Sequence, residues 1–159
     1  MTPDPDALHR LRFLVRVTQR EMEHLQTTDH RLFQRPFTAE AVAQLAHQPD
    51  LAERVDAFVS RFGRLQDTLG DKLLPELLRA LGERVGAAID NLDRAERLGL
   101  LSSADAWMTV RRLRNQMIHA YIEDPVVLAD ALQTGHESVP LLLDAADRMH
   151  AEIRRRGWL

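Results

Sequence analysis

The side chains best suited to chemistry lie together in residues 114–121, Arg-Asn-Gln-Met-Ile-His-Ala-Tyr. Arginine can bind a phosphate and stabilise the charge that spreads over its oxygens. Histidine can take and give a proton near neutral pH, and an asparagine can orient either group. Arg114, Asn115 and His119 therefore suit attack of an RNA 2′-hydroxyl on its own phosphodiester, a reaction that needs no metal ion.

The spacing of these residues decides which of them can meet. On a helix, Asn115 and His119 share one face, and Arg114 and Tyr121 share another. Arg114 and His119 are separated by about 140° on an ideal helix. They can converge if the arginine curls, if the helix unwinds near Ala120, or if a second copy brings its own motif across a two-fold axis.

A structural interpretation of the same stretch competes with the catalytic one. A histidine at a helix end is often a capping or surface residue. An arginine on a helix is often solvated or paired with a nearby carboxylate, and a tyrosine before a turn often closes the edge of a core. The pattern alone is therefore a hypothesis about an active site.

Composition favours one soluble helical domain over residues 1–159. The chain has a net charge of -3, no cysteine and a single lysine, Lys72. Almost all positive charge is therefore arginine, whose guanidinium matches phosphate well, although GC-rich coding would produce the same bias. Arginines at positions 61, 64 and 111 are candidate RNA contacts, and a dimer could align such clusters into one basic groove.

Helical periodicity dominates, and no segment alternates apolar and polar residues as a strand would. The sequence predicts an all-α fold with two long antiparallel hairpins. The expected helices span residues 6–25, 39–47, 51–82 with a kink or break near 70–75, 87–98, 102 to the motif, and 125–155 with a bend or division at Gly135 and Pro140. Expected caps are Asp50, Ser102 with Asp105, and Asp124 before Pro125.

The polar stretch from Arg61 to Asp71 permits several interpretations. Its charged side chains could face the motif and hold RNA, or they could hold the key arginine in place. They could equally form ion pairs on a helix surface or contacts in a dimer. Its glycines could allow two helices to cross closely.

Other functional classes find little support. No apolar run reaches the roughly 18 residues of a membrane span, and the first residues lack the pattern of a signal peptide. We therefore expect a cytoplasmic protein that does not bind a membrane. The scattered histidines form no metal-ligand spacing, and no phosphate-binding glycine loop is present, so no metal and no cofactor are expected.

The motif resembles the signature of the HEPN superfamily in its HepT-like ribonuclease toxin branch, which is related to nucleotidyltransferase substrate-binding proteins. Arg114, His119 and Tyr121 fall on the fixed positions of the pattern Arg, any four, His, any one, Tyr. The polar Asn115 and the Asp-Pro that starts the next helix also fit. The resemblance is carried by eight residues and by a loose match of architecture over the chain.

The resemblance implies a helical bundle that forms a homodimer with both motifs in one cleft. It implies a metal-independent endoribonuclease toxin in which Arg114 stabilises the phosphate and His119 handles the proton. It also implies a partner, a minimal nucleotidyltransferase antitoxin, that transfers AMP onto Tyr121 and blocks the RNA site. The alternative is a non-catalytic helical subunit that binds a nucleotidyltransferase.

Overall fold

The computed structural model describes residues 2–159, and for residues 120–123 it describes the backbone alone. Regular structure in this range is entirely helical, which confirms the all-α prediction. A 3₁₀ turn at Leu45–His47 and a π-helical turn at Thr68–Leu73 complete the helical structure. The α-helices are α1 (Pro5–Leu32), α2 (Ala39–Ala43), α3 (Pro49–Asp67), α4 (Leu74–Ala80), α5 (Ala88–Arg97), α6 (Ala104–Glu123) and α7 (Pro125–Arg155).

The long helices α1, α3, α6 and α7 form a four-helix arrangement in which neighbours run antiparallel. Glu21 of α1 contacts Thr68 at the end of α3, whereas Arg10, nearer the start of α1, contacts Glu76 in α4. Thr18 of α1 contacts His150, which lies near the end of α7. This up-and-down order buries one apolar stripe of each helix. The core includes Leu11, Phe58, Phe62, Leu65, Leu69, Trp107, Met117, Leu128, Leu132 and Met149.

Helix α1 extends to Leu32, so the predicted end near residue 25 is wrong. Two polar residues in the added turns, Thr28 and Asp29, have partners in other helices. Thr28 accepts a hydrogen bond from Arg61 of α3, and Asp29 lies 2.7 Å from Nδ1 of His136 in α7. The following loop packs on the helices, because Phe37 is buried and the Phe33 ring stacks on His136 with a centroid distance of 4.4 Å.

Two of the expected caps are also corrected. Helix α3 begins at Pro49 with Gln48 before it, so Asp50 lies inside the first turn. At the start of α6 the hydroxyl of Ser103, rather than that of Ser102, accepts from the N–H of Ala106 at 3.0 Å. Asp124 caps α7 as predicted, because its carboxylate accepts from the first backbone N–H groups.

Helix α7 is not divided at Gly135 or Pro140. A Cβ on Gly135 would lie 3.2 Å from both Sδ of Met117 and a ring carbon of Phe58, so this glycine permits close packing of α3, α6 and α7. Pro140 is on the exposed side of the helix, where water can bind the carbonyl that the proline leaves without a partner.

The stretch expected to kink or break near residues 70–75 remains helical but changes its hydrogen-bond register. The N–H of Leu74 bonds to the carbonyl of Leu69, five residues earlier, which defines a π turn. Pro75, which cannot donate, then stands in the first turn of α4. The helical hydrogen bonding of α3 therefore continues into α4 through one wider, π-helical turn. Such turns are frequent at functional sites.

Among the helices described over residues 2–159, none is long and apolar enough to cross a membrane.

Candidate functional site

An open groove with a volume of about 780 Å³ lies between α6 and the face formed by α3 and the π turn. Its α6 wall contains Arg114, the first residue of the predicted motif. Its lining includes three cations and three carboxylates, with an apolar part at one end. The lining residues are Asp56, Val59, Ser60, Gly63, Arg64, Asp67, Thr68, Asp71, Lys72, Arg114, Met117 and Ile118.

Arg114 is held in the groove by Asp67, the last residue of α3. Its two terminal nitrogens donate to the two carboxylate oxygens of Asp67 at 3.2 and 2.9 Å. This two-point pairing fixes the plane of the guanidinium as well as its position. The pair is partly exposed to the groove, so its net contribution to stability is small, whereas its effect on geometry is direct.

Gly63, one turn before Asp67, makes room for the arginine side chain. A Cβ at this position would lie 3.0 Å from Nε and 3.3 Å from Cγ of Arg114. The glycines of this stretch therefore accommodate side chains rather than a close crossing of helix backbones, since a Cβ on Gly70 would likewise meet the Trp107 indole at 3.2 Å. The sequence left several roles open for this stretch, and one of them was to hold the key arginine in place. Asp67 and Gly63 fit that role, because one pairs with Arg114 and the other packs closely against it.

Three buried side-chain atoms in the described part of the chain have no hydrogen-bond partner. They are Nε of Arg114, Oε2 of Glu21 and Oε1 of Gln66. Such atoms are uncommon in folded proteins, because each loses its water without gaining a partner. Two of the three belong to this site, because Arg114 lines the groove and Glu21 accepts a hydrogen bond from Thr68, which also lines it.

Glu21 reaches this region from α1. Its Oε1 accepts from the hydroxyl of Thr68 at 2.9 Å, and Thr68 itself lines the groove. Burial raises the pKa of the Glu21 carboxyl above 4.5, and this outweighs the opposing effects of the Thr68 hydrogen bond and of the nearby Arg64. The charged form of Glu21 is therefore held at a cost in stability.

Glu21→Gln is expected to raise the thermal midpoint at neutral pH. Because the folded state binds the Glu21 proton more tightly than the unfolded state does, the ionised residue lowers stability above its folded pKa. The advantage of the amide should shrink as pH falls through the folded pKa of Glu21 and should vanish only well below 4.5, where both states carry the proton. Thermal unfolding from pH 8 down to about pH 3 measures this advantage, with the exposed Glu23→Gln on the same helix as control. A lower midpoint for Glu21→Gln at neutral pH would contradict this account.

His119 and Asn115 lie on α6 with exposed side chains, and neither is among the groove-lining residues. Helix α6 continues to Glu123, so it does not unwind near residue 120. Arg114 turns toward α3 rather than along α6 toward His119. The prediction for Tyr121 falls on a side chain outside those that the structure describes.

The three candidate RNA-contacting arginines occupy different positions. Arg64 lines the groove and donates to the hydroxyl of Ser60 at 3.3 Å. Arg61 faces α1, where it donates to the carbonyl of His24 and to Thr28. Arg111 is half-buried on α6 and does not line the groove. Arg64 is therefore the one of the three that shares a surface with Arg114.

Sequence reasoning did not single out Gly63 or Lys72. Lys72 follows Arg64 and Thr68 at four-residue spacing on the same side of the chain, and it lines the groove from within the π turn. The signal for Gly63 was its presence in a helix that buries it, which predicts close approach by a neighbour. The neighbour itself could not be read from the sequence.

No group of three or more His, Asp or Glu side chains able to hold a metal ion occurs in the described part of the chain. Comparison of the chain with protein-family models, with curated proteins and with solved structures gave no match.

Proposed function

We propose that this protein is a metal-independent endoribonuclease toxin of the HepT-like, HEPN kind that acts as a cytoplasmic homodimer. The observation that supports it most is the placement of the motif. Arg114 stands in the wall of an open groove, held by Asp67, on the helix that presents His119 to solvent a little more than one turn later. A phosphate-binding cation and a proton-transfer group are thus displayed by one rigid element.

The proposed reaction transfers the RNA phosphoryl group within its own strand. The 2′-hydroxyl oxygen attacks the adjacent phosphorus, the bond from phosphorus to the 5′-oxygen breaks, and a 2′,3′-cyclic phosphate and a 5′-hydroxyl result. His119 moves the proton of the attacking or the leaving oxygen, and Arg114 stabilises charge on the phosphoryl oxygens. Asn115 stands beside them as an orienting amide.

A two-fold dimer supplies what one copy lacks. Within one chain, Arg114 points into the groove and His119 lies outside its lining. If two α6 helices approach across a two-fold axis, each arginine can meet the histidine of the other copy. Ile118, which is 46% exposed at the apolar end of the groove, suits burial in such an interface.

Control by a minimal nucleotidyltransferase antitoxin completes the proposal. Attack of the Tyr121 hydroxyl oxygen on the α-phosphorus of ATP would form the phenol–AMP bond, break the bond from the α- to the β-phosphate and release pyrophosphate and the phenolic proton. The attached AMP, two residues from His119, would add a bulky anion beside the reaction centre. Its charge would oppose a second phosphate in the same cleft, and its size would fill the cleft.

A second candidate is a non-catalytic subunit that binds a nucleotidyltransferase. It is favoured by the charge of the groove, whose three cations, Arg64, Lys72 and Arg114, are balanced by Asp56, Asp67 and Asp71. A surface that must attract RNA is usually more basic. The two candidates differ in whether the purified protein cuts RNA.

Inducible expression of wild type and His119→Ala tests the catalytic proposal first. Growth arrest with loss of intact RNA is expected from wild type alone, because removing a proton-transfer group costs about 10²–10⁴-fold in rate. Purified wild type should also cut RNA in EDTA. Arg112→Ala is the control, since this residue is exposed on the same helix and its guanidinium donates to the hydroxyl of Thr109 rather than to a residue of the groove.

Cleavage that persisted in both His119→Ala and Arg114→Ala would refute the assignment of the site. Absence of cleavage by wild type, with tight binding to a nucleotidyltransferase, would favour the second candidate instead.

A further inference from the structure

Three constraints hold the guanidinium of Arg114. Asp67 accepts from both terminal nitrogens, at 3.2 and 2.9 Å. The Nε edge is buried and has no acceptor among the described residues. The backbone of Gly63 lies close to that edge, because a Cβ there would already be 3.0 Å from Nε. The guanidinium is therefore hydrogen-bonded to Asp67 through its terminal nitrogens and packed against Gly63 at its Nε edge.

This grip leaves a defined part of Arg114 for a ligand. Arginine has five N–H donors, and two of them are used by Asp67 while a third is buried. The second N–H bond of Nη2 runs parallel to Nε–H on the buried edge, so the second N–H bond of Nη1 is the donor that lies away from both Asp67 and that edge, on a side chain that is 30% exposed. A phosphate in the groove would meet a donor whose direction is already set, so no reorientation is needed when charge develops.

The carboxylate of Asp67 opposes binding of an RNA phosphate to the groove. Asp67 cancels the charge of Arg114 and places a negative group beside any phosphate that binds there. A residue selected for tight RNA binding would not be a carboxylate at this position. The two-point pairing with Arg114 supports a role in orientation instead.

From these contacts we infer that Asp67 is a positioning residue that fixes Arg114 for cleavage and lowers the affinity for RNA in doing so. This inference rests on the proposed ribonuclease function. Two other roles of Asp67 predict different results. If Asp67 held Arg114 in an inactive position, its removal would speed cleavage. If the ion pair were purely structural, its removal would leave the balance between RNA binding and cleavage unchanged.

Asp67→Asn tests the inference against Asp71→Asn, which makes the same change of charge in the same groove without touching the Arg114 pair. Binding is measured with a 2′-O-methyl RNA oligonucleotide, which cannot react. Cleavage is measured under single-turnover conditions with the unmodified oligonucleotide in EDTA. Both variants should bind more tightly, with the slope of log K against log salt steeper by up to about 0.7 for single-stranded RNA. Cleavage should slow by about tenfold to a hundredfold in Asp67→Asn alone, because a misplacement of about 1 Å can cost that much.

Asp67→Glu separates charge from geometry. It keeps the carboxylate but adds one methylene, so it should slow cleavage without tightening binding. The Nε–H signal of Arg114 in NMR spectra gives a readout independent of activity. It should exchange slowly with solvent in wild type and faster in Asp67→Asn.

Faster cleavage by Asp67→Asn, equal slowing in Asp71→Asn, or unchanged Nε–H exchange would each overturn the inference. A wild type that cut no RNA would overturn the proposed function, and with it the role of Asp67 in cleavage. Normal cleavage by wild type and by Asp67→Asn would overturn the inference alone.

Discussion

A heterodimer of one Arg114→Ala chain and one His119→Ala chain is expected to cut RNA, although neither variant does so as a homodimer. In one chain Arg114 faces α3 across the groove, whereas His119 is exposed and outside the groove lining. If each working centre joins the arginine of one copy to the histidine of the other, this heterodimer keeps one intact centre. About half of the wild-type rate should then return, since a symmetric dimer has two equivalent centres. Co-expression with two different tags and sequential affinity steps isolates the heterodimer for assay.

The reciprocal heterodimer, wild type with the double variant Arg114→Ala/His119→Ala, is the matched control. It holds the same four side chains but places the intact arginine and histidine in one chain. The cross-chain arrangement predicts that it is inactive. Activity here together with inactivity of the first heterodimer would assign both residues to one copy and would contradict the composite centre.

Gly63→Ala is expected to lower cleavage by up to about tenfold while the protein stays folded. The new Cβ would lie 3.0 Å from Nε and 3.3 Å from Cγ of Arg114, so the side chain must move by a few tenths of an ångström. Because the guanidinium is bonded to Asp67 at 2.9 Å, this movement changes the position of the group that faces the substrate. Single-turnover cleavage and thermal unfolding are the measurements.

Gly86→Ala is the control, because a Cβ there would meet nothing within 4 Å. A stability cycle gives a second check that does not depend on the reaction. In the Arg114→Ala background, Gly63→Ala should stabilise the protein by up to about 1 kcal/mol through helix propensity. When Arg114 is present, Gly63→Ala should stabilise the protein by less than this, or should destabilise it. Additive effects, or full cleavage by Gly63→Ala, would contradict the close contact.

Local sequence signals predict most of the helix boundaries correctly. The helix over residues 87–98 ends before Gly99, whose φ of 77° only glycine adopts readily, and α7 starts at the Asp124-Pro125 cap as predicted. The errors occurred where distant contacts replaced a local stop signal. Helix α1 passes Thr28 because Arg61 of α3 donates to its hydroxyl, and no local pattern reveals that donor.

The candidate site also has a part that the sequence predicts and a part that depends on contacts between distant residues. Arg114 could be singled out because its type and its spacing to His119 are local properties of one helix. That Asp67 would be its partner could be stated only as one of several interpretations of residues 61–71. Forty-seven residues separate the two, and the hydrogen bonds between them depend on how α3 packs against α6.

The sequence by itself determined that this protein is helical, where most helices start and end, and which eight residues concentrate reactive groups. These properties depend on spacing and capping over a few residues, which the chain carries locally. Only the tertiary structure decided that Gly63 makes room for Arg114, that Asp67 holds it, that Lys72 lines the same groove, and that His119 lies outside its lining. Those outcomes depend on the packing of α3 against α6, which brings together side chains that lie far apart in the chain.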